Sequence, residues 1–395
     1  MRHVRKKKAV IICSLAALFY CFDYFVQVTP SVISHDIMAR FHLTATGLGL
    51  LGSSFFLPYC LMQLPAGLLL QRFGSRVCLS SAAFISALAL VLFATTHSWF
   101  MALTSRTLLG FCAAFSFISA IHLISQWFQH RYFAPLAGAV QLSATLGSIM
   151  GLAPIASAVT YWHWQWVIIA MGAFSLLLAI LFALFIRDDI AQQPTQAPLH
   201  VRECFIYLNN HRTECTVFMI GFISWMPISS IGALWGVPYL VNARHISTTT
   251  ACHFCSALWV GLGSGSLLVG WLSEKIHSRR TPTIMCFLLC CIGSFLLIHA
   301  PLLPAPELVF SLYAIGFSAG NQALSFSYIK DRAPARLFPS LSGLNNMSAI
   351  LGGASAQLIT GCLLSWQSPS VLSHPIYTDS QYQFAFLLIP IFSLA

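Results

Sequence analysis

Apolar runs of about 20 residues recur along the whole of this chain, and an α-helix needs that length to cross a bilayer. Only 8% of the residues are charged and 57% are hydrophobic, whereas a soluble domain carries roughly 25% charged residues. The sequence lacks the shorter, alternating apolar segments that are typical of a transmembrane β-barrel. The pattern therefore predicts an all-α integral membrane protein.

Hydropathy predicts twelve transmembrane helices separated by short polar loops. They are 9–34, 46–70, 77–95, 99–128, 134–159, 164–186, 214–241, 250–274, 282–299, 305–330, 338–364 and 382–395. The first run is too long and too aromatic for a cleaved signal peptide. The last run is too short to cross a core about 30 Å thick at about 1.5 Å per residue. We therefore expect either a truncated chain or an incomplete twelfth helix.

The longest internal loop, 187–213, contains the polar, proline-bearing stretch DDIAQQPTQAP. Such a composition is typical of a linker. It predicts an N-terminal six-helix bundle over 1–186, a cytoplasmic linker over 187–213, and a C-terminal bundle over 214–395.

The basic residues are distributed unevenly between the two sides of the predicted helices. With the amino terminus inside, seventeen of the 20 Lys and Arg residues lie in inner segments, and only Arg40 and Arg244 lie in outer loops. This asymmetry predicts a cytoplasmic amino terminus. The net charge of +10 is then a consequence of topology, and we expect no nucleic-acid partner.

The remaining chemistry-bearing residues do not form a recognisable metal or catalytic motif. Most of the 13 cysteines lie in apolar runs, where they act as small hydrophobes. CHFC (252–255) lacks a second ligand pair, so we expect neither a metal nor a cofactor. The ten acidic residues are scattered and no phosphate-cradling loop is present, which argues against a membrane enzyme and against an ATP-driven pump.

Three pairs of segments repeat at nearly one offset. GLLLQRFGSR (67–76) aligns with GWLSEKIHSR (270–279) at a shift of 203 residues. LAGAVQLSATLG (136–147) aligns with LSGLNNMSAILG (341–352), and LGFCAA (109–114) with IGFSAG (315–320). The offsets indicate a duplicated six-helix unit, an arrangement found in transporters that bind substrate between two halves.

These features resemble the major facilitator superfamily, whose loop signature between helices 2 and 3 is partly matched in both copies. The matching or equivalent residues are Gly67, Arg72, Gly74 and Arg76 in the first copy and Gly270, Glu274, Lys275 and Arg279 in the second. Gln71 departs from the aspartate of that signature, and His277 stands where glycine is usual. Arg106 and Gly110 match the family's helix-4 signature.

The resemblance implies a fold of two pseudo-symmetric six-helix bundles, alternating access and no enzyme activity. FVQVTPSVI (25–33), LPYCLMQLPAGLLLQRFG (57–74), ALWGVPYL (233–240) and GNQALSFSYIKD (320–331) are similar to the branch that holds phagosomal nutrient transporters of intracellular bacteria and lysosomal dipeptide carriers. That branch implies an amino acid, short peptide or nucleoside as substrate. We expect a monomer in the bacterial inner membrane, with the lipid bilayer and a small molecule as its partners.

The loop signature predicts a gating latch. Gly67 would let helices approach closely, and Arg72 and Arg76 could reach the negative carboxyl end of a helix. In the family this contact helps to hold the outward-open state, and Gln71 would weaken it here. The alternative is that these arginines only enforce topology.

Two fully ionic side chains, Asp23 and Arg106, lie well within predicted spans. At about 1.5 Å per residue both fall about 10 Å from the outer face, so an ion pair across helices 1 and 4 is expected. A substrate carboxylate that captured Arg106 would favour protonation of Asp23, which gives a route to proton coupling. A purely structural pair and two unpaired groups facing a cavity are the alternatives.

Polar and aromatic residues at helical spacing predict a substrate cavity. The candidates are Tyr20, Gln27, Tyr59, Gln63, Arg106, Gln141, Trp225, Tyr239, Asn321, Gln322, Asn345 and Asn346, with Arg106 as an anion anchor. Interhelical hydrogen bonding is the alternative role for each. The sequence favours proton-coupled uptake of a small polar solute. Efflux of a drug or siderophore, and a non-transporting sensor or scaffold, are the competing functions.

Overall fold

A computed structural model describes residues 2–186, 201–299, 303–334, 336–367 and 377–394. Within these ranges the chain is helical and contains no strand. The helices are α1 (Arg2–Val32), α2 (Ser34–Phe41), α3 (Ala45–Leu61), α4 (Pro65–Thr95), α5 (Trp99–Trp127), α6 (His130–Met150), α7 (Ala153–Tyr161), α8 (Trp164–Phe185), α9 (Val201–Asn210), α10 (Arg212–Pro227), a π-helical segment (Ile228–Trp235), α11 (Gly236–Arg244), α12 (Thr248–Ile276), α13 (Arg280–Ile298), α14 (Ala305–Ser318), α15 (Asn321–Arg332), α16 (Phe338–Trp366), α17 (Asp379–Phe386) and α18 (Leu388–Leu394).

Nine helical segments of the described chain are long and apolar enough to cross a membrane, and a tenth is formed if α2 and α3, bent by 110°, are counted as one span. Two of the twelve predicted helices do not form a continuous span of this kind. The predicted helix 305–330 is interrupted at Ala319–Gly320, which separates α14 from α15. The predicted helix 382–395 corresponds to the short helices α17 and α18.

The predicted loop between the second and third spans reduces to a single residue, Gly74. Its φ of 80° and ψ of 166° interrupt α4, and such a backbone conformation strongly favours glycine. The thiol of Cys78 lies 3.6 Å from the Leu69 carbonyl oxygen, whereas residues nine apart in a continuous helix are separated by about 13 Å. The chain therefore reverses direction at Gly74. A second break, at 62–64, precedes Pro65, which has no N–H to donate at the first helical position.

Taken together, helices α1–α8, the first helix set, pack mainly on one another, as do α10–α18 with the π segment, the second helix set. The exception is α3, whose most extensive packing is on α16. In the first set a Cβ on Gly110 would collide with the Phe55 carbonyl; in the second, one on Gly316 would collide with the Leu258 carbonyl. Gly147 and Gly352 make a second matching pair, closely packed on α1 and α10 respectively. Equivalent glycines of the repeat thus serve equivalent close helix contacts.

Part of the predicted linker 187–213 is helical. Residues 187–200 lie outside the described residues, but α9 follows them and α10 begins at Arg212. Cys204 of α9 is fully buried in a small apolar cluster with Val217 and Leu341 of the second helix set. The sequence did not predict this helix, because its ten residues are too few and too polar to register as a span.

Candidate substrate cavity

A cavity of about 840 Å³ lies between the two helix sets. Its size is within the range of about 300 to 1,000 Å³ that is typical of small-molecule sites. Eight of the predicted substrate-binding residues line it: Tyr20, Gln27, Tyr59, Gln63, Gln141, Trp225, Gln322 and Asn346. Both helix sets therefore contribute polar side chains to one space.

The cavity extends towards one face of the molecule and is closed towards the other. Its lining reaches Ser125, Phe133 and Pro339, which lie near the end of α5 and the starts of α6 and α16, on the face where α1 begins. Towards the opposite face, hydrogen bonds join the two helix sets. The Ser31 hydroxyl donates to the Leu234 carbonyl at 2.9 Å, the Ser53 hydroxyl to the Ala354 carbonyl at 2.8 Å, and the Thr46 N–H to the Ser365 hydroxyl at 2.9 Å.

The polar wall of the cavity is built from amides and phenols. The Tyr20 hydroxyl donates to the side-chain oxygen of Gln141 at 3.4 Å. The Asn346 amide donates to the side-chain oxygen of Gln63 at 2.9 Å, which joins the two helix sets within the cavity itself. The amide nitrogen of Gln27 is buried and has no hydrogen-bond partner. Donors and acceptors are thus available to a polar ligand.

No Lys, Arg, Asp or Glu occurs among the described residues that line the cavity. The imidazole of His122 is the one lining group there whose ordinary titration range includes physiological pH, and its Nε2 lies 3.0 Å from Nε2 of Gln126. The sequence analysis did not select His122, nor Tyr24 or Phe117, which also line the cavity. Tyr24 lies one helical turn after Tyr20, so a full reading of the α1 face would have found it.

Arg106 is not among the residues that line this cavity, and its role as an anion anchor stays a prediction. It is buried, its guanidinium lies 5.0 Å from the centre of the Phe55 ring, and Nη1 donates to the Val26 carbonyl at 3.4 Å. Pro30 has no N–H, so that carbonyl lacks the donor that a helix normally supplies from four residues ahead. Arg106 thus satisfies the acceptor that Pro30 leaves without an intrahelical partner.

The expected ion pair between Asp23 and Arg106 is also absent from this conformation, although both residues are described and both are buried. One carboxyl oxygen of Asp23 has no hydrogen-bond partner, and the Ser116 hydroxyl faces the carboxyl group. The expectation came from depth alone, and depth does not fix the direction in which a side chain leaves its helix. Asp23 lies between Tyr20 and Gln27, two cavity-lining residues of the same α1 face.

Three further predicted residues lie outside the cavity lining. Tyr239 is fully buried, donates to the Leu297 carbonyl at 2.8 Å, and packs on Tyr382 with ring centres 5.3 Å apart. These contacts hold Tyr239 away from the cavity lining, and its contact with substrate stays a prediction. Asn321 and Asn345 are fully buried beside the lining residue Gln322.

The two copies of the loop signature have different surroundings. A Cβ on Gly67 or on Gly270 would meet no heavy atom within 4 Å, so the predicted close helix approach at Gly67 is wrong. In the second copy Arg279 pairs with Glu274 at 2.6 Å and with Asp331 of α15 at 3.0 Å. Burial by itself lowers the pKa of Arg279, but hydrogen bonds to the two carboxylates outweigh burial and raise the pKa above its ordinary value.

One other basic residue in each loop contacts an aromatic ring. The Arg72 guanidinium lies 5.3 Å from the centre of the Phe73 ring, and the Lys275 ammonium lies 4.9 Å from the centre of the Trp271 ring. Such cation–π contacts contribute little at exposed sites. In the second copy Arg279 thus forms two ion pairs, one of which reaches α15.

Comparison with known proteins identifies a family. The model of the Major Facilitator Superfamily matches residues 13–357. A relative, the D-galactonate transporter of Escherichia coli O6:H1, is 24% identical over 407 residues, covering 91% of this chain and 89% of that protein. Two solved structures share the fold. An inward-facing, unoccupied bacterial homologue of the human lysosomal transporter Spinster has a TM-score of 0.79 at 17% identity, covering 98% of this chain and 95% of that chain. The nucleoside transporter NupG has a TM-score of 0.77 at 15% identity, covering 98% and 96%.

Proposed function

Because the chain belongs to the major facilitator superfamily, we propose that it is a secondary active transporter that takes up a small polar organic solute by alternating access. The observation that carries the proposal is the cavity between the two helix sets, which extends towards the face where α1 begins and is closed by hydrogen bonds towards the opposite face. The moving halves are then residues 1–186 and 214–395. With the amino terminus cytoplasmic in a bacterial inner membrane, this conformation is inward-open, and the working unit is a monomer.

The cavity wall favours a solute that is polar but carries no net charge. Amides can pair with both donors and acceptors, and aromatic faces can stack on a planar ring. Amino acids and peptides carry charged termini, for which the described lining offers no Lys, Arg, Asp or Glu. Among amino acids, short peptides and nucleosides, the nucleosides match this wall best.

A sugar acid is the second candidate substrate. The D-galactonate transporter matches most of this chain, and galactonate combines hydroxyl groups with one carboxylate. The amides of the cavity suit the hydroxyl groups. His122, when protonated, would supply a positive charge for the carboxylate.

Asp23 is the group that we propose to couple transport to the proton gradient. It is buried in α1 without an ion pair in this conformation, and an unpaired buried carboxylate is costly until it takes up a proton. Tyr20 and Gln27, on the same helix face, connect it to the cavity wall. Uptake of a proton there would change the charge next to the substrate site during the transport cycle.

Uptake into proteoliposomes tests the substrate and the coupling together. The panel contains uridine, adenosine, galactonate, glucarate, alanine and a dipeptide, each with and without an inward pH gradient. We expect accumulation of a nucleoside that Gln141→Leu reduces, whereas Gln367→Leu, outside the cavity lining, leaves it unchanged. Accumulation of galactonate alone would select the second candidate. No accumulation of any solute under either condition would contradict uptake of these solute classes.

A further inference from the structure

The first span of the second helix set contains a main-chain acceptor that lacks its usual helical donor. Leu234 lies near the end of the π-helical segment, and Pro238 stands four residues ahead, where the N–H for the Leu234 carbonyl would come from. The backbone between them stays helical, with φ of −94° and ψ of −16° at Trp235 and φ of −65° and ψ of −43° at Gly236. The donor is therefore missing because of the proline and not because the chain turns away.

The first helix set contains the same arrangement and satisfies it from within. Val26 and Pro30 of α1 repeat the spacing, and Arg106 of α5 donates to the Val26 carbonyl. At the repeat shift of 206 residues the position of Arg106 is taken by Leu312, whose side chain has no donor. The second set thus offers the Leu234 carbonyl no equivalent of this arginine.

The Leu234 carbonyl receives a hydrogen bond from the opposite helix set. The Ser31 hydroxyl of α1 donates to it at 2.9 Å, and both residues are fully buried. This bond exists only while the two helix sets are in contact at the closed face. When the sets separate there, water reaches the carbonyl and replaces the hydroxyl. Closure expels that water, so it leaves a buried acceptor unsatisfied unless Ser31 supplies the bond.

A second hydroxyl at the closed face serves a carbonyl that does not depend on it. The Ser53 hydroxyl of α3 donates to the Ala354 carbonyl at 2.8 Å. Ala354 lies inside α16, where Leu358 is placed to donate its N–H in the ordinary helical pattern. The two bonds between the helix sets are alike in length and burial. They differ in what the carbonyl keeps when the hydroxyl is removed.

We propose that Ser31 is a positioning residue of the transport cycle, because Pro238 makes closure of this face depend on the Ser31 hydroxyl. This role rests on the alternating access proposed above. Loss of the hydroxyl shifts the equilibrium towards the conformation that is open at this face, where water can hydrate the Leu234 carbonyl. Arg106 serves the equivalent carbonyl of Val26 within one helix set, so that bond does not depend on whether the face is open.

Hydrogen–deuterium exchange of the purified protein in detergent, without substrate, measures this opening. The first N–H groups of a helix have no acceptor within it. In α3 the Ala45 N–H donates to the Tyr377 hydroxyl at 2.8 Å, and the Thr46 N–H donates to the Ser365 hydroxyl at 2.9 Å. Both hydroxyls belong to the second half of the chain, so these amides exchange when the closed face opens. Amides in the middle of α8, which packs on α4, report general unfolding.

We expect Ser31→Ala to speed the exchange of the Ala45 and Thr46 amides about tenfold to a hundredfold, because an unsatisfied buried acceptor is costly in the closed conformation. The α8 amides should exchange as in the wild type. Ser53→Ala is the matched control, since it removes one hydroxyl from the same face but leaves the Ala354 carbonyl its helical donor. It should speed the exchange only about two- to threefold.

Pro238→Ala restores an N–H four residues after Leu234, so in that background Ser31→Ala should act no more strongly than Ser53→Ala does. If Ser31→Ala fails to fold, Ser31→Cys, whose thiol is a weaker donor, should give an intermediate increase. Equal increases in Ser31→Ala and Ser53→Ala, or an effect of Ser31 that Pro238→Ala leaves unchanged, overturn the proposal. A rise of equal size in the α8 amides would show unfolding instead of opening and would also overturn it. Because no transport is measured, failure of proton-coupled uptake leaves this test unaffected.

Discussion

The two helix sets carry their charged groups in different places. In the first set Asp23 and Arg106 are buried within the membrane-spanning helices, and the loop signature has Gln71 where the second copy has Glu274. In the second set Arg279 joins two carboxylates at the edge of the membrane. The close glycine contacts are shared by both sets, so the duplication preserved helix packing. Charge was free to diverge, which separates a set with charged groups buried inside its helices from a set with ion pairs at the membrane edge.

The largest expected effect concerns the buried charged groups of the first helix set. Asp23→Asn removes the group proposed to carry the proton. One proton that crosses about 100 mV supplies roughly 2.3 kcal/mol, which supports an accumulation of about fifty-fold. We expect the variant to equilibrate substrate across the membrane without concentrating it. Uptake into proteoliposomes under a pH gradient measures the ratio of internal to external substrate.

Exchange of substrate without a gradient should survive in Asp23→Asn, which separates loss of coupling from loss of folding. Glu307→Gln, which changes an exposed carboxylate at the start of α14, is the matched control and should concentrate substrate normally. If Asp23→Asn still accumulated substrate in proportion to the gradient, the proton would have to travel by another group.

The next effect concerns Arg106 and its role in α1. Arg106→Leu leaves the Val26 carbonyl without a donor, which should lower the free energy of unfolding by about 1–3 kcal/mol. Pro30→Ala supplies an N–H four residues after Val26, so the double variant should recover part of that loss, about 1 kcal/mol. Unfolding of the four proteins of this double-mutant cycle in detergent measures the coupling. Strictly additive effects would show that Arg106 does not serve this carbonyl.

The sequence predicted the positions of most spans and the repeat, because both depend on composition and spacing. Gly110 and Gly316 were paired by sequence alignment alone, and they make equivalent close contacts in the two helix sets. The break at Ala319–Gly320 was not predicted, since the residues on both sides of it were assigned to the single predicted span 305–330. A hydropathy average responds to what the residues are and not to whether the backbone between them stays helical.

The site was predicted less completely, for a geometric reason. Trp225 and Tyr239 were assigned to one face by steps of three and four, but the π-helical segment Ile228–Trp235 lies between them. A π-helix needs more residues per turn, so residues beyond it are rotated away from the expected face. Trp225 accordingly lines the cavity, whereas Tyr239 is bonded elsewhere. The partners of Arg106 could not be predicted either, since spacing gives depth along the axis but not the contacts between helices.

A smaller effect concerns the ion pairs of Arg279 in the second helix set. Arg279→Gln removes two partly exposed ion pairs, each worth roughly 0.2–1 kcal/mol. We expect a loss of about 1 kcal/mol in unfolding free energy, or about 2 to 4 °C in Tm. Arg76→Gln, the equivalent change in the first copy, removes no ion pair with position 71, where Gln71 replaces the acid, so we expect its loss to differ from that of Arg279→Gln. An equal loss in the two variants would mean that the acids at Glu274 and Asp331 do not distinguish the two loops.

The smallest effect should appear when the first copy is made to resemble the second. Gln71→Glu places a carboxylate five residues before Arg76, the same separation as between Glu274 and Arg279. An exposed pair of this kind should add about 0.3–0.5 kcal/mol, and thermal unfolding at low salt should show a rise in Tm of about 1 °C. The rise should disappear at about 1 M NaCl, because screening there acts over roughly 3 Å. It should also be absent from the Gln71→Glu, Arg76→Gln double variant. A rise that survived both conditions would come from a contact other than Arg76, and the ion pair of the second copy would then not be transferable to the first by one acid.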